Sequence, residues 1–403
     1  MEDLNSALRD AVKLSVGIIG CGNAGSQLAE AAYKAGFPRV FCINTSEKDL
    51  NNSVVNKSIP CFLAGLDGRG AGMNRKAAQS LFSKNYKDLF EKEEFNDLCN
   101  SSDVIVVGCS CSGGSGSGIA PVMMKALKSL YPGKIIIFYG IFPRLTASDN
   151  ELSNSMSCMG EIEALMHEVD GGFPYMLANL DVFEGISNEI AFGKVIDKMV
   201  SDIEVISGKF LNWSKLRMID ENDTRVILSA PGYMSIYRVD GITQQMLDKE
   251  NAQQLILKQV KRSPAVPIAR DGLIERMAFI SNMPEDMDDS SKAGDYSEII
   301  KYVGRPVSVF ENYALVNGGQ GQLIMIISGQ SYPVGHMSIV NGILKEAVAA
   351  REKAEEARKF FDKSMTDDYR FIEGIGGDNA NLLDNKASLS GDDRKSALDN
   401  LFG

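Results

Sequence analysis

The reading of one stretch, Cys111-Ser112-Gly113-Gly114-Ser115-Gly116-Ser117-Gly118-Ile119-Ala120-Pro121, decides the fold. It separates an apolar run, "SDVIVVGCS" at 102–110, from a helical pattern, "APVMMKALKSLY" at 120–131. The run reads as a strand ending near Val107, and the glycines as the turn into a helix at 120. A glycine-rich turn at a helix start leaves several backbone N–H groups unbonded, and the helix dipole adds positive potential there. Ser115 and Ser117 add hydroxyl donors. The stretch therefore reads as a phosphate cradle. It is not a Walker loop, because no Lys-Ser/Thr pair follows the glycines. A flexible Gly/Ser connector is the competing reading.

Two further glycine loops precede it. "GIIGCGNAGS" (17–26) ends an apolar run and fits the dinucleotide fingerprint at Gly20, Gly22 and Gly25. A dinucleotide site also needs an acidic residue at the end of the second strand, to accept from the ribose hydroxyls. That strand, "RVFCINTS" (39–46), carries Asn44 there, and Glu47 and Asp49 come late. The remaining loop, Gly68-Arg69-Gly70-Ala71-Gly72-Met73-Asn74, opens a helical stretch at 74–92. Three such loops at the carboxyl ends of consecutive parallel strands converge on one crevice. That many backbone donors suit a triphosphate better than a single pyrophosphate.

The surrounding pattern agrees with a parallel sheet covered on both faces. Strands at 13–20, 39–46, 102–110 and 134–142 alternate with helices at 25–36, 74–92 and 120–131, and helices follow at 150–168 and 186–206. From about 224 the pattern changes to strand-like stretches: "TRVILSAPGYMSIYRV", "RMAFISNM", "PVSVFENYAL" and "GQLIMIISGQ", with one helix near 243–261. The expected organisation is α/β: a parallel-sheet nucleotide-binding domain at 1–185, a long central connecting helix at 186–206, and a smaller α/β domain at 207–340. A charged helix at 341–364 and a flexible acidic tail at 365–403 complete it. The Ala-rich stripe of that helix reads equally as a docking face or as solvated surface.

The chain has 403 residues, which suits two domains better than one small core. Its 44% apolar and 24% charged composition is that of a globular protein. The net charge of −11 argues against direct nucleic-acid binding, which needs clustered Lys and Arg. No apolar run reaches bilayer length, and the polar start "MEDLNSALRD" does not read as a signal peptide, so a cytoplasmic protein without membrane attachment is expected. The seven cysteines read as buried thiols in a reducing compartment. Cys109-x-Cys111 is not a zinc spacing, no second Cys or His pair follows, and His167 and His336 lie far apart, so no metal site is expected.

Taken together, these loops resemble those of the tubulin/FtsZ superfamily, over roughly 14–340 and most closely over 14–125. Ser112–Gly118 is similar to its signature loop, G-G-G-T-G-S/T-G, with Ser115 for the Thr and the trailing Ala120-Pro121 present. "GCGNAGSQLAE" resembles the first nucleotide loop, "INTSEKDL" (43–50) the second, and "GRGAGMNRKAA" (68–78) the γ-phosphate loop. Its hydrolysis loop, D-x-x-D/E, falls on Asp220 and Asp223, with Glu221 as an alternative partner. "FPRLTASDNELSN" and Met218 depart from the division protein, and phage- and plasmid-borne tubulins of the TubZ type look more similar.

The resemblance implies a GTPase that binds GTP or GDP with Mg²⁺. Gly20, Cys21, Gly22, Asn23 and Asn44 would line the nucleotide. Gly70, Ala71, Gly72, Met73 and Asn74 would face the γ-phosphate, and Gly113, Gly114, Ser115, Gly116, Ser117 and Gly118 would cradle the phosphates. Glu151 or Asp149 would contact the ribose. Phe183 would stack on the base unless it packs in the core, and Asn188 would read the guanine edge unless it caps the helix. Asp220 and Asp223 would complete the site of the next copy in a head-to-tail filament. Such a filament would segregate or position plasmid or phage DNA through a DNA-binding adaptor held by the C-terminal helix or tail. A cell-division filament is the alternative role. An NAD-dependent oxidoreductase and a catalytically silent assembly protein are the alternatives of other classes.

Overall fold

In the computed structural model, residues 13–52, 58–65, 68–214, 217–267, 272–287, 296–316 and 319–375 are described, with side chains to 359. Two compact units are present, one ending at Leu344 and one beginning at Lys345. In the first unit β1 (Val16–Cys21), β2 (Val40–Asn44), β3 (Cys61–Leu63), β4 (Val104–Ser110), β5 (Ile135–Phe142) and β6 (Pro174–Asn179) are all parallel, in the order β3-β2-β1-β4-β5-β6. The sheet continues through β7 (Gly232–Ile242), β10 (Gly321–Gln330), β8 (Ile274–Pro284) and β9 (Pro306–Val316). β10 runs antiparallel to both β7 and β8. The result is one mixed, mostly parallel sheet.

Alternation along the strands explains the two cores. In β1, Ile19 and Cys21 point to one face, while Val16 and Ile18 point to the other. The first face is covered by α3 (Arg75–Phe90), α4 (Glu93–Ser101), α5 (Ser115–Leu130) and α6 (Asp149–Glu168), through Phe82, Phe95, Ile119 and Leu152. The second is covered by α1 (Gly22–Lys34), α7 (Asn188–Ile206) and α8 (Glu221–Ser229), through Leu28, Val195, Met199 and Ile227. A third cluster joins β7, β8 and β10 to α9 (Gln244–Lys249), α10 (Ala252–Arg262) and α11 (Ser297–Val303). The short α2 (Glu47–Asn52) follows β2, and α12 (Val334–Ile375) follows β10.

Several boundaries differ from the sequence reading. "TRVIL" (224–228) is helical, not strand-like: Asp220 caps α8 and the strand starts only at Gly232. The expected single helix near 243–261 is two, separated at Glu250 and Asn251, where the Asn251 side chain accepts from Gln254 N and starts a new cap. The charged helix extends from Val334 to Ile375, beyond 341–364 at both ends. The tail reading therefore covers a helical stretch to Ile375, and 376–403 lie outside the described residues. No helix among the described residues is long and apolar enough to cross a membrane.

The amino-terminal edge of the sheet is tied by one carboxylate. Asp103, just before β4, accepts from Ser15 N (2.9 Å), Ser15 Oγ (2.7 Å) and Arg225 Nη2 of α8 (2.7 Å). Burial works against its charge, but the bonds from Ser15 and Arg225 outweigh it and lower the carboxyl from 3.8 to about 2. A depressed folded-state value contributes stability above the unfolded pKa and loses it as the pH falls through the folded one. Asp103→Asn should therefore unfold at lower denaturant than the parent at neutral pH. In an acid titration the gap should close between pH 3.8 and about 2.

Candidate functional site

The carboxyl ends of β1, β2 and β4 and the helices that follow them enclose a cleft of about 900 Å³. The helix starts lie closer to the strands than the sequence suggests. β4 runs on to Ser110 and α5 already begins at Ser115, so Ser115–Gly118 form its first turn. Gly118 N donates to Gly114 O at 3.1 Å, and the N–H groups of Ser115, Gly116 and Ser117 before it have no partner within the helix. Gly114, at the helix cap, has no side chain to occupy them. Likewise α1 begins at Gly22, directly after β1.

The loops are stacked backbone on backbone. A Cβ on Gly114 would lie 2.8 Å from Met73 Cα, and a Cβ on Gly22, at φ +72°, would lie 2.7 Å from Gly116 N. Side chains complete the stack. Thr45 and Ser115 share a hydroxyl hydrogen bond of 2.6 Å, and Gly70 N donates to Thr45 O at 3.1 Å. Asn154, from α6, donates to both Met73 O and Ser112 O at 3.0 Å. Thr45 lies in the "INTSEKDL" stretch and Asn154 ends "FPRLTASDNELSN", but neither was singled out from the sequence, because only the fold brings their side chains to the glycine loops.

Of the expected site residues, Asn23, Gly70, Ala71, Gly72, Met73, Gly113, Gly114, Ser115, Gly116 and Asn188 line the cleft. Asn188 is the first residue of α7, and the cap is Ser187, whose Oγ accepts from Ile190 N at 3.3 Å. The Asn188 amide is thus not used as the cap. Gln27, Asp49, Arg69 and Phe192 also line the cleft.

The other expected residues stand behind or beside it. Gly20 and Gly25 pack against each other at the β1–α1 turn. The Cys21 side chain is in the core, where burial raises its thiol pKa. Asn44 is fully buried; its Oδ1 accepts from Ser46 N at 3.2 Å, and its Nδ2 has no partner among the described residues. Asn74 caps α3 by accepting from Ala77 N at 3.0 Å. Ser117 donates to Gly113 O, and Gly118 packs on Arg75 O. Glu151 closes a capping box with Ser148 at the start of α6, and Phe183 packs on the second core face with Lys194 over its ring at 5.7 Å. Neither residue borders the cleft.

Asp220 and Asp223 lie elsewhere. Asp220 Oδ1 accepts from Asp223 N at 2.8 Å and Asp223 Oδ2 accepts from Asp220 N at 3.3 Å, a capping box for α8. Arg225 in the same helix is bonded to Asp103 at the opposite end of β4 from the glycine loop. The length of β4 is roughly 20 Å at strand rise. α7 spans the same direction: Asn188 borders the cleft, while Leu14 N, before β1, donates to Ser207 O at 3.0 Å.

The stacking can be tested directly. Gly114→Ala should push the 68–74 loop away, lowering the unfolding midpoint and speeding amide exchange there. Gly113→Ala, with nothing within 4 Å of the added carbon, should leave both near the parent values. Thermal unfolding with hydrogen-exchange mass spectrometry reads both.

The Tubulin/FtsZ family, GTPase domain, matches residues 15–176. The "Tubulin-like protein TubZ" of Clostridium botulinum C phage is 25% identical over 366 residues, covering 89% of this chain and 87% of that protein. Among solved structures, the GTPγS-bound protofilament form of CetZ2 from Haloferax volcanii has a TM-score of 0.66 at 18% identity, covering 85% of this chain and 100% of that one. The helical model of the TubZ-Bt two-stranded filament has a TM-score of 0.68 at 16% identity, covering 90% and 96%. It is over residues 15–176 that the chain is similar to the GTPase domain of the Tubulin/FtsZ family.

Proposed function

We propose that the chain is a GTPase whose active site is completed between copies in a head-to-tail filament. The observation that carries this reading is the separation of the two halves of the chemistry. The cleft lies at the carboxyl end of the strands, and α8 with its acid pair is tied to the other end of β4. One copy cannot bring them together without breaking its sheet. A second copy, stacked in the same orientation, can. The exposed apolar side chains beside both ends support such a contact: Met73 (49%) and Ile190 (55%) near the cleft, Met218 (43%) and Val226 (41%) near the acid pair. A contact of this kind does not close on itself, so it yields an open filament.

In this reading the phosphates of GTP sit over the first turn of α5, where unbonded N–H groups and the helix dipole attract negative charge. Gly70, Ala71, Gly72 and Met73 approach from the facing loop, so the γ-phosphate is sensed by backbone rather than by a flexible side chain. Asn188 reads the guanine edge, which asks for a donor and an acceptor in one group. Asp49 and the hydroxyls of Ser46 and Ser115 are oxygen ligands of the kind Mg²⁺ takes alongside phosphate and water, and the ion would offset phosphate charge. Asp220 and Asp223 of the adjoining copy orient and polarise the attacking water.

The cellular role that fits best is the segregation or positioning of plasmid or phage DNA. The phage origin of the TubZ relative supports it. A chain of net charge −11 leaves DNA contact to an adaptor protein, carried by the C-terminal helix or tail. The filament would work in the cytoplasm.

Asp220→Asn is the informative variant, because Asn retains the helix cap and removes only the charge. GTP turnover should appear in the parent only above a critical concentration, together with light scattering. The variant should assemble and persist while turning over GTP at least about tenfold more slowly. Turnover proportional to protein without scattering, or parent-like turnover in the variant, would overturn the reading.

A further inference from the structure

Directly beneath the glycine-rich loop lie three thiols that the nucleotide chemistry does not use. Cys109 and Cys111, two residues apart at the end of β4, face the first core cluster, where Cys158 of α6 meets them. All three are buried, and their sulfurs lie within 4.8 Å of one another. The cluster abuts the loop: a Cβ on Gly116 would come 3.1 Å from Cys109 Cβ.

We propose that Cys109, Cys111 and Cys158 form a three-sulfur site for a soft monovalent cation of the copper(I) class. Three sulfurs bound at ~2.3 Å to one ion stand about 4 Å apart, which this cluster reaches by small side-chain movements. Thiolate sulfur selects soft ions, copper(I) among them. Zinc in a closed structural site takes four ligands, and no other His, Cys, Asp or Glu among the described residues joins these three.

A cation on several thiolates leaves the cluster anionic, and a counter-charge stands beside it. Arg75 is 7% exposed. Its Nη atoms are held by Glu161 at 2.7 and 2.8 Å and by Ser117 O at 3.0 Å. Its Nε is buried with no partner among the described residues, and its charge acts on both Cys158 and Cys111. On binding, each thiol that becomes a thiolate ligand releases its proton to solvent, and no electron is transferred. The site is independent of whether the cleft holds GTP.

The test uses the full-length chain, reduced and anaerobic, with copper(I) supplied from a chromophoric chelator. Cys61 is the exposed cysteine, so Cys61→Ala serves as the parent. One copper(I) per chain is expected, with an all-sulfur shell by X-ray absorption. Adding Cys158→Ala should weaken binding by more than about 100-fold. Cys109→Ser, which preserves volume, should do the same, and a retained thermal unfolding transition in either variant confirms the fold. No stoichiometric copper in the Cys61→Ala protein, parent-like affinity in both folded variants, or displacement of copper(I) by equimolar zinc would each overturn the proposal.

Discussion

Everything at the candidate site depends on the close approach of backbones at one edge of the sheet. Gly114 lies against Met73, and Gly22 lies against Gly116, at distances where no side chain fits. This packing sets the starts of α1 and α5 and the Gly70–Met73 loop before α3 side by side around one cleft. An isolated helix start attracts an anion weakly; several held rigidly around one volume form a site. The hydroxyl pair of Thr45 and Ser115 and the forked amide of Asn154 fix the same loops laterally.

The parallel strands convert that local packing into polarity. Every strand from β1 to β6 points its carboxyl end to the cleft, so anything fastened to the amino ends is held a strand length away. Asp103 and Arg225 fasten α8 there. A unit with unlike ends, each carrying part of a reaction and exposed apolar side chains, gains most from stacking on a copy of itself. The capping box of Asp220 and Asp223 gives these carboxylates a fixed geometry without a partner, at the expense of using one oxygen of each for the helix start. The proposed water-polarising role asks only for charge beyond that.

The same edge shows why the underside of the loop matters. Strand alternation puts Cys109 and Cys111 on the same face as α6, and the helix brings Cys158 to them. From sequence, Cys109-x-Cys111 lacks a metal spacing, and Cys158 is too distant to pair with it by any rule. Three thiols become a cluster only when α6 packs on the sheet, and the same packing brings the buried Arg75 beside them.

The sequence by itself determined the alternation of strands and helices and the three glycine loops, because both are local. Apolar runs bury, and glycine-rich turns permit backbone contact wherever they occur. It also pointed to Asn188, but not to the reason its amide is left over: Ser187 takes the cap. "TRVIL" misled because a short apolar run satisfies a strand and a helix equally, and the cap at Asp220 decides for helix. Tertiary structure alone decided that Glu151 and Phe183 stand outside the cleft, that Thr45 and Asn154 brace it, and that the acid pair and the cleft occupy opposite ends. Those outcomes depend on which surfaces pack together over long sequence separations. No residue spacing encodes them; the shared burial of two sheet faces does.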